Sequence, residues 1–257
     1  MARILAITNQ KGGVGKTTTS VNLAASLGAA KRRVLLVDLD PQGNATMGSG
    51  VDKRAIKASV YELLLGSATL RSVRVPAPAA EYALLPANRE LAGAEVEMVA
   101  LERREHRLKE ALQGVEQEYD FILIDCPPAL NLLTVNGLTA AHAVIIPMQC
   151  EYYALEGLSD LVATIKKVRA NLNPELQIEG LLRTMYDPRN TLAQQVSAQL
   201  IQHFGDKVYR TVIPRNVRLA EAPSHGAPVL NFDKASKGAQ AYLALAGEML
   251  NRYEQTA

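Results

Sequence analysis

The chain has 257 residues, 48% of them hydrophobic, and its 28 lysines and arginines nearly balance 26 acidic residues, for a net charge of +2. This balance excludes a protein whose whole surface attracts polyanions, so any contact with nucleic acid has to come from a local patch. Cys126 and Cys150 have neither metal-site spacing nor a disulfide pattern, which is typical of a reducing compartment. No apolar run reaches the roughly 20 residues of a membrane span, and no leader precedes the first predicted strand. We therefore expect a cytoplasmic protein that does not bind membranes.

Short apolar, β-branched runs alternate with longer helical patterns along the chain. The predicted strands cover residues 4–8, 34–38, 82–86, 121–125, 143–147, 178–185 and 208–213. The predicted helices cover residues 17–29, 91–112, 155–172, 192–204 and 238–253, and residues 71–80 are predicted to form a loop. Several strands are continuous apolar runs, as in strands covered on both sides. The pattern predicts an α/β fold with a mostly parallel, twisted sheet covered by helices on both faces, in one domain over residues 1–257.

The segment KGGVGKTT at residues 11–18 directly follows an apolar strand and directly precedes a helix rich in Ala and Leu. Glycines there let backbone N–H groups surround phosphate oxygens, and the helix N-terminus adds partial positive charge. A P-loop of this kind places Lys16 at the β- and γ-phosphates and the Thr17 hydroxyl on Mg²⁺. We therefore expect ATP and Mg²⁺ as ligands. The expected nucleotide contacts are Lys11, Gly12, Gly13, Val14, Gly15, Lys16, Thr17 and Thr18. The general pattern opens with Gly where this chain has Gln10, so the match to it is incomplete.

Three aspartates stand at the ends of predicted strands. Asp38 and Asp40 are two residues apart, so their side chains point to the same side, and Asp125 ends another apolar strand. Ligands of open α/β sheets bind at that edge, and Mg²⁺ is commonly bound near carboxylates with several waters retained. Asp125 is therefore predicted to be the Walker B residue. An aspartate at a strand end is also a common helix N-cap, and this alternative stays open for each one alone.

Longer blocks resemble one family. They are QKGGVGKTTT at 10–19, VDLDPQGNAT at 37–46, CEYYALEGL at 150–158 and VIPRNVRLAEAPS at 212–224. Together they resemble chromosomal ParA/Soj partition ATPases, over about residues 3–249. These belong to the deviant Walker A family of P-loop NTPases, with MinD, the arsenite-pump ATPase and the nitrogenase iron protein. Lys11 matches the family's signature lysine, which implies that it reaches across a dimer interface to the partner's phosphates and supplies positive charge in trans. A solvated surface lysine is the alternative.

The resemblance also implies roles for other residues. Lys11, Lys16 and Asp40 are expected to be catalytic, with Asp40 orienting or deprotonating the attacking water. Asp38 and Asp125 are expected to bind the metal through water, and Thr17 to bind it directly. Pro214 and Asn216 are expected beside adenine, although a plain strand-to-helix turn is the alternative there.

The implied cycle couples nucleotide state to DNA. ATP joins two subunits face to face, and this homodimer binds double-stranded DNA without sequence preference at the nucleoid. A ParB/Spo0J-type centromere-binding partner then stimulates hydrolysis and releases the dimer, which supports chromosome or plasmid segregation. Arg189 and Arg218 match basic positions of the family's DNA-binding surface, and Lys234 and Lys237 are lesser candidates. Solvated surface cations are the alternative for all four residues.

Two other functions are weighed against partition. A MinD-like positioning ATPase binds membranes through a basic amphipathic C-terminal helix, whereas residues 244–254 contain one arginine and two glutamates. A P-loop small-molecule kinase or ligase needs an acceptor-binding insertion, and the alternation of strands and helices shows none. The nitrogenase iron protein needs paired cysteines for its cluster, and Cys126 and Cys150 are instead expected to pack as small apolar residues.

Overall fold

A computed structural model describes residues 2–254, and its strands form a seven-stranded sheet. The strands are β1 (Arg3–Ile7), β2 (Val34–Asp38), β3 (Val75–Pro76), β4 (Ala83–Leu85), β5 (Phe121–Asp125), β6 (Ala143–Met148) and β7 (Gln177–Arg183). Their order across the sheet is β3-β4-β2-β5-β1-β6-β7. The short edge strand β3 is antiparallel to β4, and the other described pairings are parallel. The predicted fold class is confirmed.

Helices connect the strands and cover both faces of the sheet. They are α1 (Lys16–Ala29), α2 (Asn44–Gly48), α3 (Val60–Leu65), α4 (Leu70–Val73), α5 (Leu91–Glu97), α6 (Arg107–Leu112), α7 (Leu132–Ala140), α8 (Ala154–Asn171), α9 (Thr191–Phe204), α10 (Val217–Glu221), α11 (Val229–Phe232) and α12 (Lys237–Glu254). None of these helices is both long and apolar enough to cross a membrane.

Alternate residues of the interior strand β1 face two separate cores. Ile4 and Ala6 belong to one cluster, which α3 and α5 to α9 cover, and Leu5 and Ile7 belong to the other, which α1, α11 and α12 cover. Successive side chains of a strand point to opposite faces, so a strand buried on both sides is apolar throughout. The carboxyl ends of β1, β2 and β5 consequently lie side by side at one edge of a buried sheet.

The predicted strand at residues 208–213 is wrong. Only isolated bridges join this segment and its neighbour Pro214 to the end of the sheet, from Leu181 to Val208 and from Tyr186 to Pro214. The N–H groups of Tyr209 and Ile213 still donate to the Leu181 and Arg183 carbonyls of β7, whereas a side chain accepts from two N–H groups between them. The Glu248 carboxylate accepts from the N–H groups of Arg210 and Thr211, at 2.8 and 2.9 Å. The apolar pattern of this segment therefore reflects burial without a β-ladder.

The single helix predicted over residues 91–112 is also wrong. α5 ends at Glu97, and 3-10 turns at Met98–Ala100 and Arg104–His106 precede α6. Leu101 is extended, and Arg103 has a φ of 52°, in the left-handed region that a helix cannot accommodate. The segment 71–80, predicted as a loop, holds the end of α4 and the edge strand β3.

Candidate nucleotide site

The segment between β1 and α1 forms an open anion cradle. Gly13 and Gly15 have φ values of 72° and 86°, a left-handed conformation that a side chain would strain. A Cβ at Gly12 or Gly13 would meet no described atom within 4 Å, so the loop faces open space. Gly15 stands at the N-cap of α1 and supplies no side-chain cap, which leaves the first N–H groups of the helix directed at this space.

Buried hydrogen bonds fix the cradle from behind. The Asn9 side chain accepts from the N–H of Lys11 at 3.0 Å and donates to the carbonyl of Pro147 at 2.8 Å. On the other side, the Thr184 hydroxyl donates to the carbonyl of Val14 at 2.8 Å. The loop is therefore tied to the end of β6 and to the residue after β7, which keeps its N–H groups in place before any anion binds.

Lys16 is 8% exposed and lies inside the cradle, where its Nζ donates to the Lys11 carbonyl at 3.0 Å. Burial lowers the pKa of its ammonium, while the charges of Asp125 and Asp40 act in the opposite direction. Within residues 2–254 this ammonium has a carbonyl as its acceptor and no anionic partner in direct contact. The triphosphate of a nucleotide would supply that partner.

Asp125 is the acceptor for two hydroxyl groups of α1. Thr17 Oγ1 donates to its Oδ2 at 2.8 Å, and Ser20 Oγ donates to its Oδ1 at 2.7 Å. Asp38 is the register partner of Asp125 on β2, and both side chains are fully buried. Burial raises the pKa of each carboxyl group, and at Asp125 the charge of Asp38 adds to the effect. This pair fits a hard divalent cation, because a positive charge beside it would offset the cost of ionisation.

Asp40 follows β2 at the rim of the same edge. Its backbone N–H donates to Asp38 Oδ1 at 3.2 Å, and its own Oδ1 accepts from the N–H of Gln42 at 2.9 Å. The carboxyl group is partly exposed, unlike the buried group of Asp38. Among the described residues no three His, Cys, Asp or Glu side chains cluster as ligands of a metal ion. That result is compatible with Mg²⁺, which keeps several waters and is bound by one or two protein groups together with substrate phosphates.

Lys11 points away from the cradle that Lys16 fills. Its ammonium forms an ion pair with Glu151, and the two side chains are 45% and 50% exposed. Tyr152 and Tyr153 follow Glu151, are 74% and 69% exposed, and pack edge to face with ring centroids 4.9 Å apart. A charged pair and two aromatic rings therefore lie exposed beside the phosphate loop.

The predicted adenine contacts lie on the loop before α10. Pro214 bridges to Tyr186, and Thr184, two residues before Tyr186, is bound to the phosphate loop. The side-chain Oδ1 of Asn216 is buried and has no hydrogen-bond partner among residues 2–254. A buried amide oxygen without a donor is uncommon and is compatible with a ligand donor such as an exocyclic amine.

The predicted DNA contacts divide into two groups, and their arginines are paired with acids. Arg189 is 88% exposed, and its guanidinium donates to both oxygens of Asp187, at 3.0 and 2.8 Å. Arg218 pairs with Glu221 at 2.8 Å and with Asp233 at 3.2 Å. Lys234 and Lys237 are exposed close to Asp233 in sequence. The hydrogen bonds of Arg189 lower the pKa of Asp187, and the charge of Arg215 adds a smaller effect in the same direction. Arg215 is exposed and was not among the predicted DNA contacts.

Comparison with known proteins places this arrangement in a family. A family model described as an AAA domain matches residues 2–178. The chain is 55% identical to the sporulation initiation inhibitor protein Soj of Bacillus subtilis, over 97% of this chain and 98% of that protein. It is 50% identical to the chromosome partitioning protein ParA of Caulobacter vibrioides, over 97% of this chain and 94% of that protein. The chain belongs to the Soj/ParA family of chromosome-partitioning ATPases.

A solved structure with a similar fold supports a nucleotide with magnesium as the ligand of this site. The crystal structure of cobyrinic acid a,c-diamide synthase from Mycobacterium smegmatis contains ADP and magnesium. It matches with a TM-score of 0.87 and 40% identity, covering 100% of this chain and 97% of that chain. As a Soj/ParA ATPase, the chain hydrolyses ATP, and its cradle, buried lysine and carboxylate pair fit ATP with Mg²⁺.

Several residues of this Soj/ParA site were not selected from the sequence. Ser20 lies one helical turn after Lys16, so its spacing was an available signal. Thr184 offered no such signal, because its contact with Val14 joins residues that the sheet brings together. Thr46 ends one of the family blocks, yet the bonds of its hydroxyl to Asp38 and to the N–H of Ala87 appear in the structure alone. Glu151 was part of a family block, but only the structure shows its ion pair with Lys11.

Proposed function

We propose that the chain is an ATP-dependent DNA-partitioning switch. In this proposal ATP binding joins two copies face to face, and the homodimer binds double-stranded DNA without sequence preference, which places it on the nucleoid. A ParB/Spo0J-type centromere-binding protein stimulates hydrolysis and releases the dimer. Repetition of this cycle supports segregation of a chromosome or a plasmid.

The position of Lys11 carries this proposal. Its ammonium is exposed outside its own cradle, while Lys16 occupies the inside. Lys11 therefore adds little to its own site, but a second copy placed against this face would bring it close to foreign phosphates. There the Lys11 ammonium would leave its ion pair with Glu151 and pair with a triphosphate, which carries a higher negative charge. An exposed ion pair contributes only about 0–1 kcal/mol, so Glu151 would not hold Lys11 back strongly.

Hydrolysis in the proposed dimer divides among residues of both copies. Lys16 and the cradle N–H groups bind the β- and γ-phosphates, and Lys11 of the other copy neutralises charge that develops during transfer. Thr17, whose hydroxyl now donates to Asp125, would be a direct ligand of Mg²⁺, and Asp38 and Asp125 would hold waters of that ion. The bound ion would supply positive charge that offsets the charge of the phosphates. Asp40 orients or deprotonates the attacking water, since its carboxyl group is partly exposed at the rim.

Adenine recognition is assigned to the loop before α10. Pro214 offers an apolar surface to the base, and the unpaired Asn216 Oδ1 accepts from its amine. This loop continues into α10, which carries Arg218, so the base would contact the segment next to a proposed DNA contact. The residues that contact adenine and the proposed DNA contact Arg218 would thereby be neighbours in the chain.

DNA binding is assigned to Arg189, Arg218, Lys234 and Lys237. The arginines pair with acids on the surface, so they can exchange these partners for phosphate oxygens at small cost. Contacts of this kind release counterions, so the affinity falls steeply with salt and varies little with sequence. A dimer would double the number of such contacts, which is why DNA binding should require ATP.

The deciding experiment is a size measurement by light scattering with ADP and then with a non-hydrolysable ATP analogue. We expect a monomer with ADP and a dimer with the analogue and Mg²⁺. Lys11→Ala should bind the analogue and remain monomeric, whereas Lys16→Ala should lose nucleotide binding. A wild-type chain that stays monomeric with saturating analogue would contradict the proposal.

Two alternatives predict different results. A MinD-like membrane function needs a free apolar helix face, whereas Tyr242, Leu245 and Met249 of α12 are buried against the core. A small-molecule kinase or ligase is the other alternative, and one matching structure is named a synthase. Partition predicts that DNA and a ParB-type protein together stimulate ATP hydrolysis, and a kinase or ligase predicts turnover only with a small acceptor. Binding to anionic vesicles would favour the membrane alternative.

A further inference from the structure

The loop that carries Asp40 is closed by one threonine. Thr46 donates to Asp38 Oδ2 twice, from its backbone N–H and from its hydroxyl, each at 2.7 Å. The same hydroxyl accepts from the N–H of Ala87 at 2.9 Å. Asp38, Thr46 and Ala87 are fully buried, and we call them the Thr46 clamp. The hydroxyl of Thr46 therefore uses its donor and an acceptor site at once, and it joins the end of β2 to the segment after β4.

Hydrogen bonds to Asp38 hold the loop that carries Asp40 at both of its ends. Asp38 Oδ2 accepts both hydrogen bonds from Thr46, and Asp38 Oδ1 accepts from the N–H of Asp40. Asp38 thus binds the residue two positions later and the residue eight positions later in its own chain. The segment between them, which carries Asp40 at the rim, has both ends fixed on a single carboxylate.

A second contact pins the same loop to residue 87. Gly43 has a φ of 61°, and a Cβ there would lie 2.7 Å from the carbonyl oxygen of Ala87. Only glycine permits this approach with that backbone conformation. The loop is therefore held at Gly43 by close packing and at Thr46 by hydrogen bonds, and both contacts are to Ala87.

We propose that Thr46 is a positioning residue for ATP hydrolysis, which holds Asp40 at the distance and angle that the attacking water requires. This inference rests on the proposed role of Asp40. Replacement of Thr46 by valine keeps the side-chain shape and the backbone bond to Asp38. It removes both hydroxyl bonds, so a buried carboxylate oxygen loses a donor and the buried N–H of Ala87 loses its acceptor. Loss of alignment by about 1 Å is enough to slow a reaction up to about 100-fold.

The test compares Thr46→Val, Thr46→Ser and the matched control Thr139→Val. Thr139 is also fully buried, and its hydroxyl has no hydrogen-bond partner among the described residues. The measurements are kcat at saturating MgATP, the Kd of a fluorescent ATP analogue, and Tm. We expect Thr46→Val to lower kcat by about 10-fold or more with Kd unchanged. Thr46→Ser should restore most of kcat, and Thr139→Val should keep the parental kcat.

Three results would overturn the inference: parental kcat in Thr46→Val, an equal loss of kcat in Thr46→Ser, or an equal loss in Thr139→Val. If Thr46→Val does not fold, Thr46→Cys replaces it, because a thiol is a weak donor and should again lower kcat with Kd unchanged. Asp40→Ala is measured in parallel. Loss of hydrolysis in Asp40→Ala with parental hydrolysis in Thr46→Val rejects the inference alone, whereas an active Asp40→Ala rejects the role of Asp40 in the proposed function.

Discussion

Asp38 and Asp125 are register partners at the carboxyl ends of β2 and β5, and the structure buries both carboxyl groups completely. Burial raises the pKa of each group, while hydroxyl donors, Thr46 for Asp38 and Thr17 with Ser20 for Asp125, act against the rise. The nucleotide-free protein therefore holds two acids whose ionisation its own interior opposes. A divalent cation at this edge would remove that opposition, so magnesium binding and stability should be linked.

Asp125→Asn should stabilise the nucleotide-free protein at pH 7.5. The folded-state pKa of Asp125 lies above the unfolded value, so the folded chain retains protons and loses stability as pH rises from about 4 toward the raised pKa. Removal of the acid should raise stability at pH 7.5 by on the order of 1 kcal/mol, or about 2–4 °C in Tm. The measurement is Tm with a metal chelator from pH 5 to 8. A lower Tm with an unchanged pH slope would contradict it.

Gly12→Val should fold and bind ATP but fail to dimerise. A Cβ at Gly12 would meet no described atom of its own chain within 4 Å, so its own chain leaves room for the added bulk, which in the proposed dimer would meet the partner. Tm and the Kd of an ATP analogue should be close to parental, and light scattering should show a monomer. Gly28→Val is a contrasting variant that should fail to fold well, because a Cβ there would lie 2.3 Å from the Glu81 carbonyl oxygen. A dimer of Gly12→Val with the analogue would rule out the face-to-face arrangement.

Asp40→Ala should bind ATP and accumulate as a dimer. Among the described residues no hydrogen bond joins the Asp40 carboxyl group to the cradle, Lys16 or Asp125, and the group accepts instead from the N–H of Gln42. Loss of a water-orienting carboxylate should lower kcat by about 100-fold or more. Single-turnover hydrolysis and light scattering with ATP check this prediction. Hydrolysis at the parental rate would show that another group orients the water.

Arg218→Ala should weaken DNA binding with MgATP and reduce the slope of log K against log salt by about two units, one for each copy in the proposed dimer. Arg71→Ala is the matched control, because Arg71 is also an exposed arginine paired with a glutamate, Glu118. The measurement is fluorescence anisotropy with two duplexes of unrelated sequence over a range of salt concentrations. Equal affinity and slope for Arg218→Ala and the wild type would remove Arg218 from the DNA surface.

The sequence by itself determined the fold class and the phosphate cradle. Short apolar runs such as Phe121–Asp125, which is buried at every position, alternate with longer helical patterns, and this order along the chain indicates an α/β fold. A glycine-rich turn with Lys-Thr between a strand and a helix indicates a phosphate loop. The family blocks extended this reading to Lys11, Asp40 and Asn216. One domain over the whole chain, and the chemical roles of these residues, stay predictions.

Only the tertiary structure decided which partners the side chains have. Glu248 takes the backbone N–H groups of residues 210 and 211, so an apolar run predicted as a strand is not one. Lys11 pairs with Glu151 across 140 positions, and Thr46 joins Asp38 to Ala87. These contacts follow from the order of strands in the sheet, which brings distant residues to one edge. Local periodicity carries no information about that order, because any strand with the same pattern could occupy each place in the sheet.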